Sequence, residues 1–252
     1  MAIARALRLV WPDTSFGPFR FVEAVPWLML ALTCRIVGPE DKPLLNLLAA
    51  CGTWVAVLMA FMAVARRVFA IFDRSSHLDA LPLDRELRLS LRIFGRIMAV
   101  MVAATLLLHN LGNASIAPYF MLGLDSMAFN QSSISGKVWS ACMAALVLLL
   151  VLGIDRNSGK PSFASAFRGL LNQGVRFGAA IVVLAVFYVA LGPIQNVVLN
   201  GFWGSSVVAA SSHQTKTLIY FTVTLGFAAM RLWVTLLVLT YGLKQSYLRG
   251  AA

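Results

Sequence analysis

The sequence predicts an all-α, polytopic transmembrane bundle of about six helices. Three observations lead there: charge is scarce, apolar residues run in stretches of about 20, and basic residues crowd onto alternate connections. Of the 252 residues, 12% are charged and 60% hydrophobic, and the mean hydropathy is +0.80. A soluble domain carries about 25% charged and 45–50% apolar residues. Both departures place the chain in the membrane class. The length suits a single integral membrane domain, 1–252, since no polar stretch is long enough for a second.

The expected spans are Phe21–Val37, Leu44–Ala65, Ile97–Leu111, Val138–Ile154, Phe177–Leu199 and Leu218–Leu243. In the first, Glu23 and Arg35 leave a short uncharged centre, with Arg35 expected to snorkel outward. Arg5 and Arg8 resemble the start of a signal peptide, but Trp11, Pro12 and Asp13 end the apolar run too early.

Orientation follows from Lys and Arg. With six spans, Arg5, Arg8, Arg20, the seven arginines from Arg66 to Arg96, Arg156, Lys160, Arg168, Arg176, Lys244 and Arg249 share one side. Only Arg35, Lys42, Lys137 and Lys216 fall on the other. Basic residues mark the cytoplasmic face. Segment 1–20, loop 66–96 and tail 244–252 are therefore expected inside, in a bacterial inner membrane. Trp139 and Trp203 at the outer interface and Tyr241 and Tyr247 at the inner one agree. The net charge of +11 is explained by anionic inner-leaflet lipids rather than nucleic acid.

Two loops carry amphipathic patterns. Arg85, Arg88, Arg92 and Arg96 recur at helical spacing, with Leu87, Leu91, Phe94 and Met98 on another face. Asp84 and Arg88 are spaced for an i,i+4 pair. The reading is an interfacial helix feeding the third span, whose arginines contact lipid or a partner. Ser162 or Ser165 caps a weaker counterpart with Phe163, Phe167, Leu170 and Leu171. Outside, Pro118, Phe120, Leu124 and Met127 suit a short helix on the outer leaflet. A re-entrant loop there would need shielding by protein, because lipid cannot satisfy its backbone. The surface helix is the expectation.

Arg231 breaks the pattern. It lies near the middle of the last span, about 18 Å from its nearer end. A charge at that depth costs about 2.5–3.5 kcal/mol on insertion scales. Such residues face a bundle interior or a wet cavity, yet no Asp or Glu falls at matching depth. Three readings stay open. Arg231 bonds backbone carbonyls and neutral groups such as Thr224, Thr235, Gln195 or Asn196. It holds an anion, a lipid phosphate or solute, in its guanidinium fork. Or it pairs with an acidic residue of another subunit.

The remaining features carry little chemistry. His77, His109 and His213 are dispersed, and Cys34, Cys51 and Cys142 lack metal or redox spacing, so no metal or cofactor is implied. Gly174 to Gly178 makes a GxxxG spacing. Gly153 to Lys160 has the wrong spacing for a phosphate loop, with Pro161 in place of Ser or Thr. No nucleophile, acid or base cluster supports an enzyme.

The function expected is a non-catalytic membrane subunit, scaffold or assembly partner of a larger complex, contacting other membrane subunits and lipids. The alternative is a small permease for an anionic solute or lipid. Six spans with both termini inside, and a helix in the loop after the second span, resemble the permease subunits of ATP-driven exporters. That resemblance is architectural and implies an ATPase docked on the loop helix.

Overall fold

The computed structural model describes residues 23–37, 42–71, 83–131, 133–156, 174–205 and 212–249. Every regular element among them is helical: α1 (Val25–Val37), α2 (Pro43–Ile71), α3 (Leu83–Asn110), α4 (Ala117–Met121), a 3-10 turn (Asp125–Met127), α5 (Ile134–Arg156), α6 (Gly174–Gly204) and α7 (His213–Arg249). Five are long and apolar enough to cross a membrane, namely α2, α3, α5, α6 and α7. The chain is an all-α, multi-pass integral membrane bundle. The 13 residues of α1 reach about 20 Å, short of a hydrocarbon core about 30 Å thick. The expected first span begins at Phe21, and 21–22 lie outside the described residues.

The centre of the bundle is α2. Every residue from Ala56 to Ala65 is buried, which is how a helix that is apolar all round behaves when protein surrounds it. Around it stand α1, α3 and α7, while α5 and α6 pack on each other and on α7. The α1–α2 contact is close because Gly52 has no side chain. A Cβ there would lie 3.3 Å from Cys34 Sγ. The Thr53 hydroxyl sits beside the carbonyls of Ala49 (2.9 Å) and Ala31 (3.3 Å), which ties the two helices. Outward-facing Val182, Val183, Val186 and Val197 of α6 and Leu106 and Leu107 of α3 stay exposed, as a lipid-facing surface requires.

The amphipathic segment after Asp84 is helical and feeds the third span without a break, so α3 runs for 28 residues. Nothing between Arg96 and Met98 breaks a helix, and no residue between them lacks an N–H. Arg85, Arg88 and Arg92 are exposed, and Arg96 is half-buried. Leu87 and Leu91 are exposed too. The inward stripe is Glu86, Leu89, Ile93, Ile97 and Met101. The Asp84–Arg88 pair forms at 3.6 Å between exposed side chains. The weaker pattern at Ser162–Leu171 lies outside the described residues, as do segment 1–20 and His77.

Candidate functional site

The candidate site is built on the connector between α3 and α5. A Schellman motif turns the chain out of α3: Asn113 N–H donates to Leu108 carbonyl (2.9 Å) and Gly112 N–H to His109 carbonyl (3.1 Å). Gly112 adopts φ +81°, which a residue with a Cβ resists. From there the chain turns into the helix bundle. Residues 123–129 are all buried, and the 3-10 turn packs against α2, α5 and α7.

Depth can be judged from two contacts. The Phe129 carbonyl accepts a 3.0 Å hydrogen bond from Arg231 Nη1. Arg231 lies at the centre of α7, eighteen residues from either end. Lys137, in the first turn of α5, lies against Gly192, where a Cβ would come within 2.5 Å of its Nζ. Gly192 is twelve residues, about 18 Å, short of the end of α6, so the Lys137 side chain reaches the interior of α6. This segment is packed inside the bundle rather than lying on its outside, as the expected surface helix would. Its apolar spacing fits a lipid surface and a protein interior equally well.

Protein side chains satisfy the inserted backbone. Trp139 Nε1 donates to the Phe120 carbonyl (2.9 Å), with the two rings 4.8 Å apart. Ser140 Oγ donates to the Gly123 carbonyl (3.1 Å) and Gln131 Nε2 to that of Tyr119 (3.1 Å). Ser126 Oγ lies 2.6 Å from Gln131 Oε1. These are the donors that lipid lacks. Gly123 leaves room for the indole, since a Cβ there would stand 2.9 Å from Trp139 Nε1. Trp139, expected as an interface anchor, thus also pins the connector.

Two arginines clamp this turn from opposite sides. Arg35 pairs with the Asp125 carboxylate and stacks 5.2 Å from the centre of the Phe129 ring. It does not simply snorkel. Arg231 takes the Phe129 carbonyl from within. Asp125 stands one turn before the carbonyl that Arg231 holds, since the Phe129 N–H donates to the Asp125 carbonyl (2.9 Å). Its insertion with the connector brings near Arg231 the carboxylate that the sequence places outside.

Arg231 is fully buried. Its guanidinium carbon is 5.3 Å from the centre of the Tyr188 ring, a cation–π contact. Thr235 Oγ1 gives its proton to the Arg231 carbonyl (2.6 Å). The Tyr188 hydroxyl, 2.6 Å from Thr235 Oγ1, is therefore the donor in that pair. Of the four neutral groups expected around the guanidinium, none receives it. Thr235 is turned to the backbone, Asn196 is exposed, and Gln195 Oε1 and Thr224 Oγ1 have no partner among the described residues. The backbone-carbonyl reading holds for Nη1 alone. Nε and Nη2 have no protein acceptor among the described residues. Arg231 also presents no surface to a neighbouring chain. Lys137, grouped by sequence with the exposed outer lysines, is 6% exposed.

Comparison of the chain with protein-family models, curated proteins and solved structures finds no match. The site therefore has to be read from its own geometry. Arg85, Arg88, Arg92 and Arg96 lie along α3 and do not join it. Among the described residues no group of three His, Cys, Asp or Glu could hold a metal. The three cysteines are free. A Cβ on Gly178 would meet nothing within 4 Å, so the GxxxG spacing makes no close helix contact at that glycine.

The Tyr188 arrangement gives a direct test. Tyr188→Phe keeps the ring under Arg231 but leaves Thr235 Oγ1 without its donor. The expected loss is about 1 kcal/mol in unfolding of the purified protein in detergent. A loss below about 0.3 kcal/mol would show that the hydroxyl pair contributes nothing.

Proposed function

We propose that this chain is a non-catalytic membrane carrier, a small permease whose working centre is Arg231 and whose cargo is an anionic solute or lipid. The observation that carries this reading is Arg231 itself. It is wholly enclosed, uses Nη1 on the connector, and keeps two nitrogens without a protein acceptor among the described residues. An intramembrane cation is by default a functional group. Irregular backbone at membrane depth is tolerated where protein buries it or where it lines a cavity. On the asymmetry of basic residues, and counting the first segment as a sixth span, the carrier sits in a bacterial inner membrane with both termini in the cytoplasm.

The test is uptake by proteoliposomes, using radiolabelled phosphate, sulfate and chloride, with a fluorescent anionic phospholipid for flipping. Wild type is expected to move at least one of these, and Arg231→Leu to lower that rate by about tenfold or more. Equal rates in the two proteins would end the Arg231-centred carrier reading.

A second reading, a scaffold or subunit of a larger membrane complex, is favoured by a different observation. Arg85, Arg88 and Arg92 stand exposed beside Leu87 and Leu91 on α3. They suit either a partner subunit or anionic lipid. Recovery of one stoichiometric membrane partner in mild detergent, lost in the triple Ala variant, would favour the scaffold.

A further inference from the structure

Arg231 presents its guanidinium in an unusual state. Nη1 is bound to the Phe129 carbonyl, while Nε and Nη2 are buried without an acceptor among the described residues. Nε and Nη2 form the side edge of the guanidinium, where two N–H groups point the same way. That edge matches two oxygens of one oxyanion. A buried donor with no acceptor is costly, and more so for a charged group, so two on one edge call for a ligand.

Lys137 is a second cation nearby. It is 6% exposed, it has no ion pair or hydrogen bond among the described residues, and it shares Gly192 with Asn130, the residue after the Phe129 whose carbonyl Arg231 holds. Gly192 makes room for it: a Cβ there would come 2.5 Å from Lys137 Nζ and 3.0 Å from Asn130 Oδ1. The Asn130 oxygen also lacks a partner among the described residues, and with its amide turned over the same side chain offers two donors. In formal charge, Arg35, Lys137 and Arg231 are three cations and Asp125 is one carboxylate, an excess of two positive charges.

We infer that the Arg231 side edge, Lys137 and Asn130, on a floor made by Gly192, bind a tetrahedral oxyanion carrying two charges, of the phosphate type. Two oxygens take the arginine edge and a third takes the lysine, which a planar carboxylate cannot supply. Lys137 retains some exposure and Arg231 none, so the ligand meets the lysine first. This deepens the carrier reading and rests on it for the opening that admits the ligand. The phosphate belongs either to a free solute or to a lipid headgroup.

The experiment is calorimetric titration of the full-length protein in detergent with inorganic phosphate, sulfate, acetate and dihexanoyl phosphatidic acid. Phosphate or the phosphatidic acid is expected to bind, with acetate weaker by about tenfold or more. Lys137→Met and Gly192→Ala should each weaken binding by about ten- to hundredfold, and Lys137→Arg should restore much of it. Thermal unfolding of each variant separates loss of the site from loss of the fold. Tighter binding of phosphatidic acid assigns a headgroup; phosphate alone assigns a free solute. No binding by folded wild type, acetate equal to phosphate, or indifference to Lys137→Met would each overturn the site. Binding as expected without flux would retire the carrier and keep the site. Flux that survives Lys137→Met would do the reverse.

Discussion

Asp125→Asn is expected to lower stability in detergent by about 3 kcal/mol, while Arg35→Ala costs about 1 kcal/mol. The two residues form one ion pair, so the asymmetry is the point. Asp125 is buried on the 3-10 turn, with its side chain 11% exposed against 42% for Arg35. When the carboxylate goes, Arg35 can turn to water, but fully buried Arg231 cannot. Arg231 then loses the one carboxylate whose charge reaches it among the described residues. Breaking a buried pair from that side costs about 3–5 kcal/mol; the half-exposed partner argues for the low end. When Arg35 goes instead, Asp125 keeps the attraction of Arg231. Equal losses in the two variants would show that Asp125 serves Arg35 alone.

Gly136→Ala should also be costly, at about 3 kcal/mol. A Cβ at that position would lie 2.3 Å, 2.4 Å and 2.6 Å from three atoms of the Gln131 amide. A side-chain end usually swings away from such a clash. This one is buried and engaged at both of its polar atoms, to Ser126 and to the Tyr119 carbonyl. Moving it sacrifices two hydrogen bonds inside the bundle, each worth about 1 kcal/mol, and adds overpacking of about 1–3 kcal/mol. Gly226→Ala is the control, because a Cβ there meets nothing within 4 Å. It should be neutral or stabilise α7 by up to about 1 kcal/mol. Hydrogen exchange of the 122–131 amides should rise in Gly136→Ala and stay unchanged in Gly226→Ala. A Gly136→Ala protein as stable as wild type would mean the connector is not held through Gln131.

The long helices were legible in the sequence because one physical requirement dictates them. Backbone polar groups in lipid must be satisfied within the segment, so apolar length alone marks α2, α5, α6 and α7. The Asp84–Arg88 pair was legible for a similar reason, since helical spacing sets it locally. The connector was not. Phe120, Leu124 and Met127 have the same periodicity whether they meet lipid or protein. The acceptors that hold it down are main-chain carbonyls of Tyr119, Phe120, Gly123 and Phe129, which every residue possesses and no sequence pattern displays. Their donors had other plausible roles: Trp139 as an interface anchor and Arg231 as a lone charge. Two signals pointed the right way. Asp125 is an isolated carboxylate in an apolar stretch, and Lys137 lies only three residues into the first turn of an apolar helix.

The burial of the connector among distant helices has a consequence for how the protein is made. Phe129 and Arg231 are 102 residues apart, and Arg35 and Asp125 are 90 apart. At synthesis rates of roughly 5–20 residues per second, Arg231 emerges on the order of 5–20 s after Phe129. For that interval the Phe129 carbonyl has no arginine to accept from, and α7 is not yet complete beside it. Docking of this segment must then be a late event in biogenesis, completed only after the last helix has left the ribosome. A chain truncated before α7 should carry the segment where a water-soluble thiol reagent can reach a cysteine placed at Phe129, and the full chain should hide it.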